Sequence, residues 1–455
     1  MINSKIHKYI EKNREAILKD YIDLLKIPSI SDTEEAKKAL LFLKDLYEKN
    51  GFECEIYDDY LLSHFKNGEK SIGLFAHADV VPVDDGWTIT NPFEPKIVNG
   101  DLFARGSLDD KSAVIISLYA LKAIIELNIP FNSSIVCFTG ANEETSMQDI
   151  QNYVKSHTPP DFSLVLDAAF PVYYGDKGML WLLLTFNDSE FEDLINLNGG
   201  NAYNIILGEA TAKVKYSDSL YNELLENEKI SITKNDNLIE IYAKGISSHG
   251  AMPYGSINAG GIILEALYNA KSFSQKDKKQ LALPLKMLTT YDGDILNIKS
   301  EDEIYKDTTA TNGILKIESG KLKLSLDIRY GRTFTPETLI SNLQSTFKKE
   351  NISFEIVKNG VPHYTSLNNK YINACMKAYK DHTGGQNDEP RINAGGTYLR
   401  YLPNCIETGT TTKFCHCSLP EGHGAAHQRD EHINVEGFFE ALEIIIKMLI
   451  ECDKV

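Results

Sequence analysis

Residues 74–112 read LFAHADVVPVDDGWTITNPFEPKIVNGDLFARGSLDDKS. With the residues just before it, the run SIGLFAHADVV (71–81) is apolar at nearly every position until His77 and Asp79. A run without polar alternation suits a strand covered on both faces, the environment of a parallel sheet between helices. His77 and Asp79 are two positions apart, so on a strand they share a side. A carboxylate there can hold one imidazole nitrogen and leave the other for a metal. Asp109 and Asp110 then form a second acidic turn ahead of AVIISLYALKAIIEL, a strongly apolar helix.

On the N-terminal side, Ile6, Ile10, Ile17, Tyr21, Leu24 and Leu25 recur at helical spacing and predict a helix over 5–26 that Pro28 ends. A second helix is predicted over 33–50, with Ser31 or Asp32 as its cap ahead of Glu34 and Glu35 and a stop at Asn50 and Gly51. A short strand follows at 52–57. Beyond the acidic turn come the strand SSIVCFTG, a helix over 146–157 and the strand FSLVLDA. Strands alternating with helices define an α/β domain rich in parallel sheet, with helices on both faces.

Near residue 178 the pattern changes. LIEIYAK (238–244) and KLKLSLDIRY (321–330) alternate, with helices at 257–272 and 336–349, which predicts an antiparallel α+β domain. The α/β pattern returns in helices at 369–382 and 434–451 around a loop-rich segment, 391–431. The expected organisation is a discontinuous first domain, 1–178 and 369–455, with a second domain, 179–368, inserted in it.

Composition fits that division, since 455 residues at 42% hydrophobic content can bury two cores. A net charge of -17 repels nucleic acid and anionic membrane alike, so neither is an expected partner. The start of the chain mixes charge into its apolar residues and lacks the uninterrupted run of a signal or a membrane span, and the expected location is the cytoplasm. Cysteines at 54, 137, 375, 405, 415, 417 and 452 have no disulfide-framework spacing, which suits a reducing compartment.

Three candidate parallel strands end in metal-type ligands: His77 with Asp79, Glu143 with Glu144, and Asp167. Open α/β sheets gather function at the carboxyl ends of their strands, so these ends converge in space. Adjacent side chains diverge, so one of Glu143 and Glu144 can ligate a metal while the other takes a proton from water. An acidic pair at a helix start also matches the helix dipole.

Together, HADVVP, GW, PF, LFARGSLDDK, ANEE and the Asp of LVLDA resemble the dinuclear zinc metallopeptidases that include carboxypeptidase G, carnosinase, aminoacylase and succinyl-diaminopimelate desuccinylase. The inserted segment with ISSHGAMP, GGTY and HQRDE is most similar to the bacterial dipeptidase V branch. The resemblance implies that Asp109 bridges two zinc ions, with His77 and Asp167 on one ion and Glu144 and His427 on the other. Glu143 is then the general base and Asp79 orients His77. It also implies a cis bond between Asp109 and Asp110. Carboxylate and imidazole donors suit Mn²⁺ or Co²⁺ as well.

The same resemblance makes the inserted domain a lid. His249 would stabilise the oxyanion, and Asn204, Arg329, Gly395, Gly396 and Thr397 would face the substrate. An Arg can clamp a carboxylate bidentately, which favours a peptide with a free C-terminal carboxylate. Four histidines, His416, His423, His427 and His432, crowd the C-terminal segment. His427 fits the end motif, with His423 as the alternative, while Cys415 and Cys417 read as ordinary loop cysteines. The implied activity is hydrolysis of dipeptides with a free amino terminus by a hydroxide held between two zinc ions, in a monomer or homodimer. The alternatives are deacylation of N-acyl amino acids and an inactive binding protein on the same fold.

Overall fold

The apolar run at 71–81 becomes the strand Ser71–His77, buried from Ile72 onward. It lies between Ser134–Gly140 and Phe162–Ala168, and Cys405–Gly409 adds to the far side of Phe162–Ala168, all four parallel. In this computed structural model, which describes residues 2–412, 419–420 and 422–455, these strands form the centre of a mixed nine-stranded sheet. Phe75, Phe138 and Val165 join Ile150, Tyr153 and Leu399 in one apolar cluster. Their neighbours Leu74, Cys137 and Leu164 point by alternation to the other face. The helices Lys111–Glu126 and Val435–Asp453 pack on one another and on the His77 strand. The expected α/β architecture is thus present.

The chain divides into two units: Met1–Gly175 with Tyr364–Asn393 and Thr397–Val455, and Asp176–His363 with Ala394–Gly396. The second unit is built on a separate sheet whose described pairings are antiparallel, with Lys321–Tyr330 between Leu315–Glu318 and Gly178–Phe186. Its core gathers Leu180, Leu182 and Leu184 with Leu324, Leu326 and Ile328. Among the described residues, no helix is long and apolar enough to cross a membrane.

Several local expectations change. The strand stops at His77 rather than Val81, because Asp79 turns away to accept backbone N–H groups of Glu143 and Glu144. The second helix starts at Glu34 behind Thr33, and the expected cap Ser31 instead donates its hydroxyl to Asp79 at 2.6 Å. The loop-rich segment contains the buried strand Cys405–Gly409, whose Glu407 takes hydrogen bonds from Asn393 and Thr397. In the second unit a helix absent from the sequence reading, Gln275–Thr289, carries Pro284 inside it, a residue that usually marks a break. His416, Cys415 and Cys417 lie outside the described residues.

Candidate metal centre

Strand register builds the first half of the site. His77 pairs with Gly140, and Phe75 with Val165, so continuing the register brings Asp167 beside His77, with Nε2 and Oδ2 3.9 Å apart. His77 Nδ1 lies 3.0 Å from the Asp79 carbonyl oxygen and 3.4 Å from Asp79 Oδ1. Both are acceptors, so Nδ1 carries a proton and Nε2 is the ring atom directed at the acids beyond. Nε2 lies 3.1 Å from Asp109 Oδ1.

Asp79 does more than hold His77. Its two carboxylate oxygens accept the backbone N–H of Glu143 and of Glu144, each at 3.2 Å, and the Ser31 hydroxyl at 2.6 Å. The turn that carries both glutamates is thereby fixed to the His77 strand. Behind it, Asp149 Oδ2 accepts the Asn142 N–H at 2.9 Å and the Tyr398 hydroxyl. Burial pushes the Asp149 pKa up to about 7.

The second half uses turns. His427, in a left-handed backbone conformation with φ 65°, lies 3.1 Å from Asp109 Oδ2 and 3.0 Å from Glu144 Oε2 through Nε2. Among the described residues two donor groups result, His77–Asp109–Asp167 and Asp109–Glu144–His427, and Asp109 belongs to both. Asp110 belongs to neither, and the peptide between the two aspartates is cis. His423 is directed elsewhere, with Nδ1 2.6 Å from Asp430 Oδ2. Asp430 also accepts from the Thr88 and Ile89 N–H groups.

Buried carboxyls dominate the electrostatics of the cluster. Burial raises the carboxyls of Glu143, Glu144 and Asp167 above the usual range, with Asp109 adding to the effect. Burial opposes ionisation of Asp109 as well, but its bonds to His427 and His77 hold it low. Burial alone would depress His427, yet contacts with Asp109 and Glu144 push it up to about 11. Among the described residues, Glu143 Oε1 and Glu144 Oε1 are buried without a hydrogen-bond partner. Orphaned carboxylate oxygens beside two carboxylate–imidazole groups fit a pair of divalent cations.

The remaining predicted residues belong to the second unit, apart from Thr397. His249 Nδ1 accepts the Ala251 N–H at 3.3 Å, leaving the proton of the neutral ring on Nε2. The Asn204 carbonyl accepts the Gly250 N–H at 2.7 Å. Buried Arg329 is committed to Asp327 through Nε (2.7 Å) and Nη2 (3.0 Å), and its Nη1 reaches the Ala394 carbonyl, next to Gly395 and Gly396, at 2.8 Å. A Cβ at Gly250 would stand 2.6 Å from Thr311 Oγ1 and 2.8 Å from Asp327 Oδ2, so the turn after His249 has no room for a side chain there. Thr397 donates its hydroxyl to Glu407.

Sequence reasoning missed Ser31, Asp149 with Tyr398, and Glu431, a buried acid that accepts the Asp109 N–H at 3.1 Å. Only the HQRDE motif pointed toward Glu431.

The sheet and its donor cluster form a candidate metal centre. Residues 73–451 match the model of peptidase family M20/M25/M40, and the chain belongs to that family. Along the sequence it is 27% identical to "Putative dipeptidase YtjP" of Bacillus subtilis, over 97% of this chain and 98% of that protein. A dipeptidase-named protein of Staphylococcus epidermidis is 25% identical, over 95% and 96%. Human carnosine dipeptidase 1 shares the fold at a TM-score of 0.62 and 13% identity, covering 100% of this chain and 99% of its own. The Saccharomyces cerevisiae dipeptidase Dug1p does so at 0.60 and 16%, with coverage of 100% and 99%.

Proposed function

We propose that this chain is a dipeptidase that hydrolyses dipeptides with a free amino terminus, using two zinc ions held by His77, Asp109 and Asp167 and by Asp109, Glu144 and His427. The carrying observation is Glu143: a buried carboxylate with an unpartnered oxygen beside two donor groups that share one aspartate. Names of relatives matched over nearly their full length support the substrate class. The donor set suits zinc and also admits manganese or cobalt.

Bound there, the ions would supply Lewis acidity toward the scissile carbonyl and toward water. The protein's own residues do the rest. Glu143, kept basic enough by burial to hold a proton, takes one from the attacking water and returns it to the leaving amine. Asp79 fixes the His77 ring and the Glu143–Glu144 turn. His249, with its proton on Nε2, is assigned to the oxyanion. Asn204, Arg329, Gly395, Gly396 and Thr397 are assigned to the substrate. Arg329 brings a fork whose Nε–Nη2 edge is already held by Asp327, so any carboxylate it binds must use its other N–H groups.

The test is turnover of a dipeptide panel and of the N-acetylated analogues, with zinc and with manganese, by parent and Glu143→Ala chains. The variant should keep its metal and lose ~10²–10⁴-fold in kcat. Near-parental turnover would remove Glu143 from this role, and preference for the acetylated forms would make the enzyme a deacylase.

A further inference from the structure

Glu431 stands outside both donor groups, yet it touches the loops that carry two of their members. It is fully buried. Antiparallel pairing of His432–Asn434 with Asp101–Phe103 sets it beside Ala104, whose N–H donates to the Glu431 carbonyl at 3.1 Å. From that position Oε1 accepts the backbone N–H of Leu108 at 2.9 Å and of Asp109 at 3.1 Å. Oε2 accepts Arg105 Nη1 at 2.7 Å. The same guanidinium donates through Nη2 to the His427 carbonyl at 3.3 Å. Arg105 is itself buried, against the Trp87 ring.

Burying a carboxylate and a guanidinium is costly unless their hydrogen-bonding capacity is used. Here both oxygens are used, and their partners are the backbone at the shared ligand and, through Arg105, the backbone at His427, while Arg105 Nε stays buried without a partner among the described residues. A strand or helix could not make that link, because Asp109 and His427 lie in turns from distant parts of the chain. We propose that Glu431, acting with Arg105, is a positioning residue that fixes Asp109 and His427 relative to each other before metal arrives. The inference rests on the metal-centre reading above.

Two substitutions separate its parts. Glu431→Gln keeps the size and one acceptor oxygen but loses the charge that holds Arg105. Arg105→Lys keeps the charge but cannot reach both Glu431 and the His427 carbonyl. Metal-stripped full-length chains would be titrated with Zn²⁺ against a chromophoric chelator, and Co²⁺-loaded chains read by visible absorption. The parent should bind two ions. Glu431→Gln should weaken both by ~10–100-fold, and Arg105→Lys only one, as loss of a group orienting a ligand does. The Co²⁺ spectrum should change in both variants, and kcat should fall with KM for the dipeptide within about twofold. Parental affinity for both ions with an unchanged Co²⁺ spectrum, and only a lower melting temperature, would overturn the proposal. A parent that binds no ion would overturn the metal-centre reading instead. Should Glu431→Gln fail to fold, Arg105→Lys carries the same decision.

Discussion

His77 and Asp167 leave neighbouring parallel strands, whereas Glu144 and His427 come from turns, and Asp109 is common to both halves. The two histidines differ in exposure: the His77 side chain is 1% exposed and that of His427 49%. Strand register aligns His77 with Asp167 in the first half. The second needs side chains from elsewhere, Asp79 under the Glu143–Glu144 turn and Glu431 with Arg105 under Asp109 and His427. The site therefore joins a preset half to one that is braced.

The most damaging way to test that division is to remove what the halves share. Asp109→Ala should abolish binding of both ions and lower turnover by ~10³-fold or more, because neither group keeps its donors and the Lewis-acid contribution goes with them. Metal content per chain by mass spectrometry checks this. Retention of one ion at parental affinity would mean that the halves are independent.

Comparing His77→Ala with His427→Ala probes the asymmetry itself. Each should cost one ion. In the metal-stripped chain, His77→Ala removes a buried ring that contacts both Asp79 and Asp109 and should cost about 2–3 kcal/mol in urea unfolding. His427→Ala removes a half-exposed ring, though one that contacts Asp109 and buried Glu144, and should cost less, about 1 kcal/mol. Equal costs would erase the distinction between a strand-built and a turn-built half.

The strand-built half was also the legible one. An apolar run ending in His-x-Asp announces a buried strand with polar business at its end, and alternation in KLKLSLDIRY announces an antiparallel sheet. Cys405–Gly409 escaped because it is short and contains Glu407, a residue made compatible with burial only by Asn393 and Thr397. Ser31 escaped because a serine before a helix has the same local signature whether it caps that helix or, as here, serves an aspartate on a strand. Among the histidines near the end of the chain, spacing alone could not separate His423 from His427. The fold gives them different partners, Asp430 for His423 and Asp109 with Glu144 for His427.

The narrowest expected effect, confined to one stretch of pH, concerns the brace behind the glutamate turn. Asp149 accepts the Asn142 N–H just ahead of Glu143, and burial raises its pKa from 3.8 to about 7. The folded chain therefore holds this proton more tightly than the unfolded one. Its contribution to stability is complete below pH 3.8 and is lost progressively as pH rises toward about 7. Asp149→Asn keeps an acceptor for Asn142 and Tyr398 but cannot ionise. Relative to the parent, the metal-stripped variant should gain on the order of 2 kcal/mol between about pH 5.5 and about pH 8, read by urea unfolding at both values. A variant-to-parent difference that stays constant over this interval would mean that Asp149 is ionised throughout, and that the brace under the turn-built half rests on a carboxylate rather than a carboxylic acid.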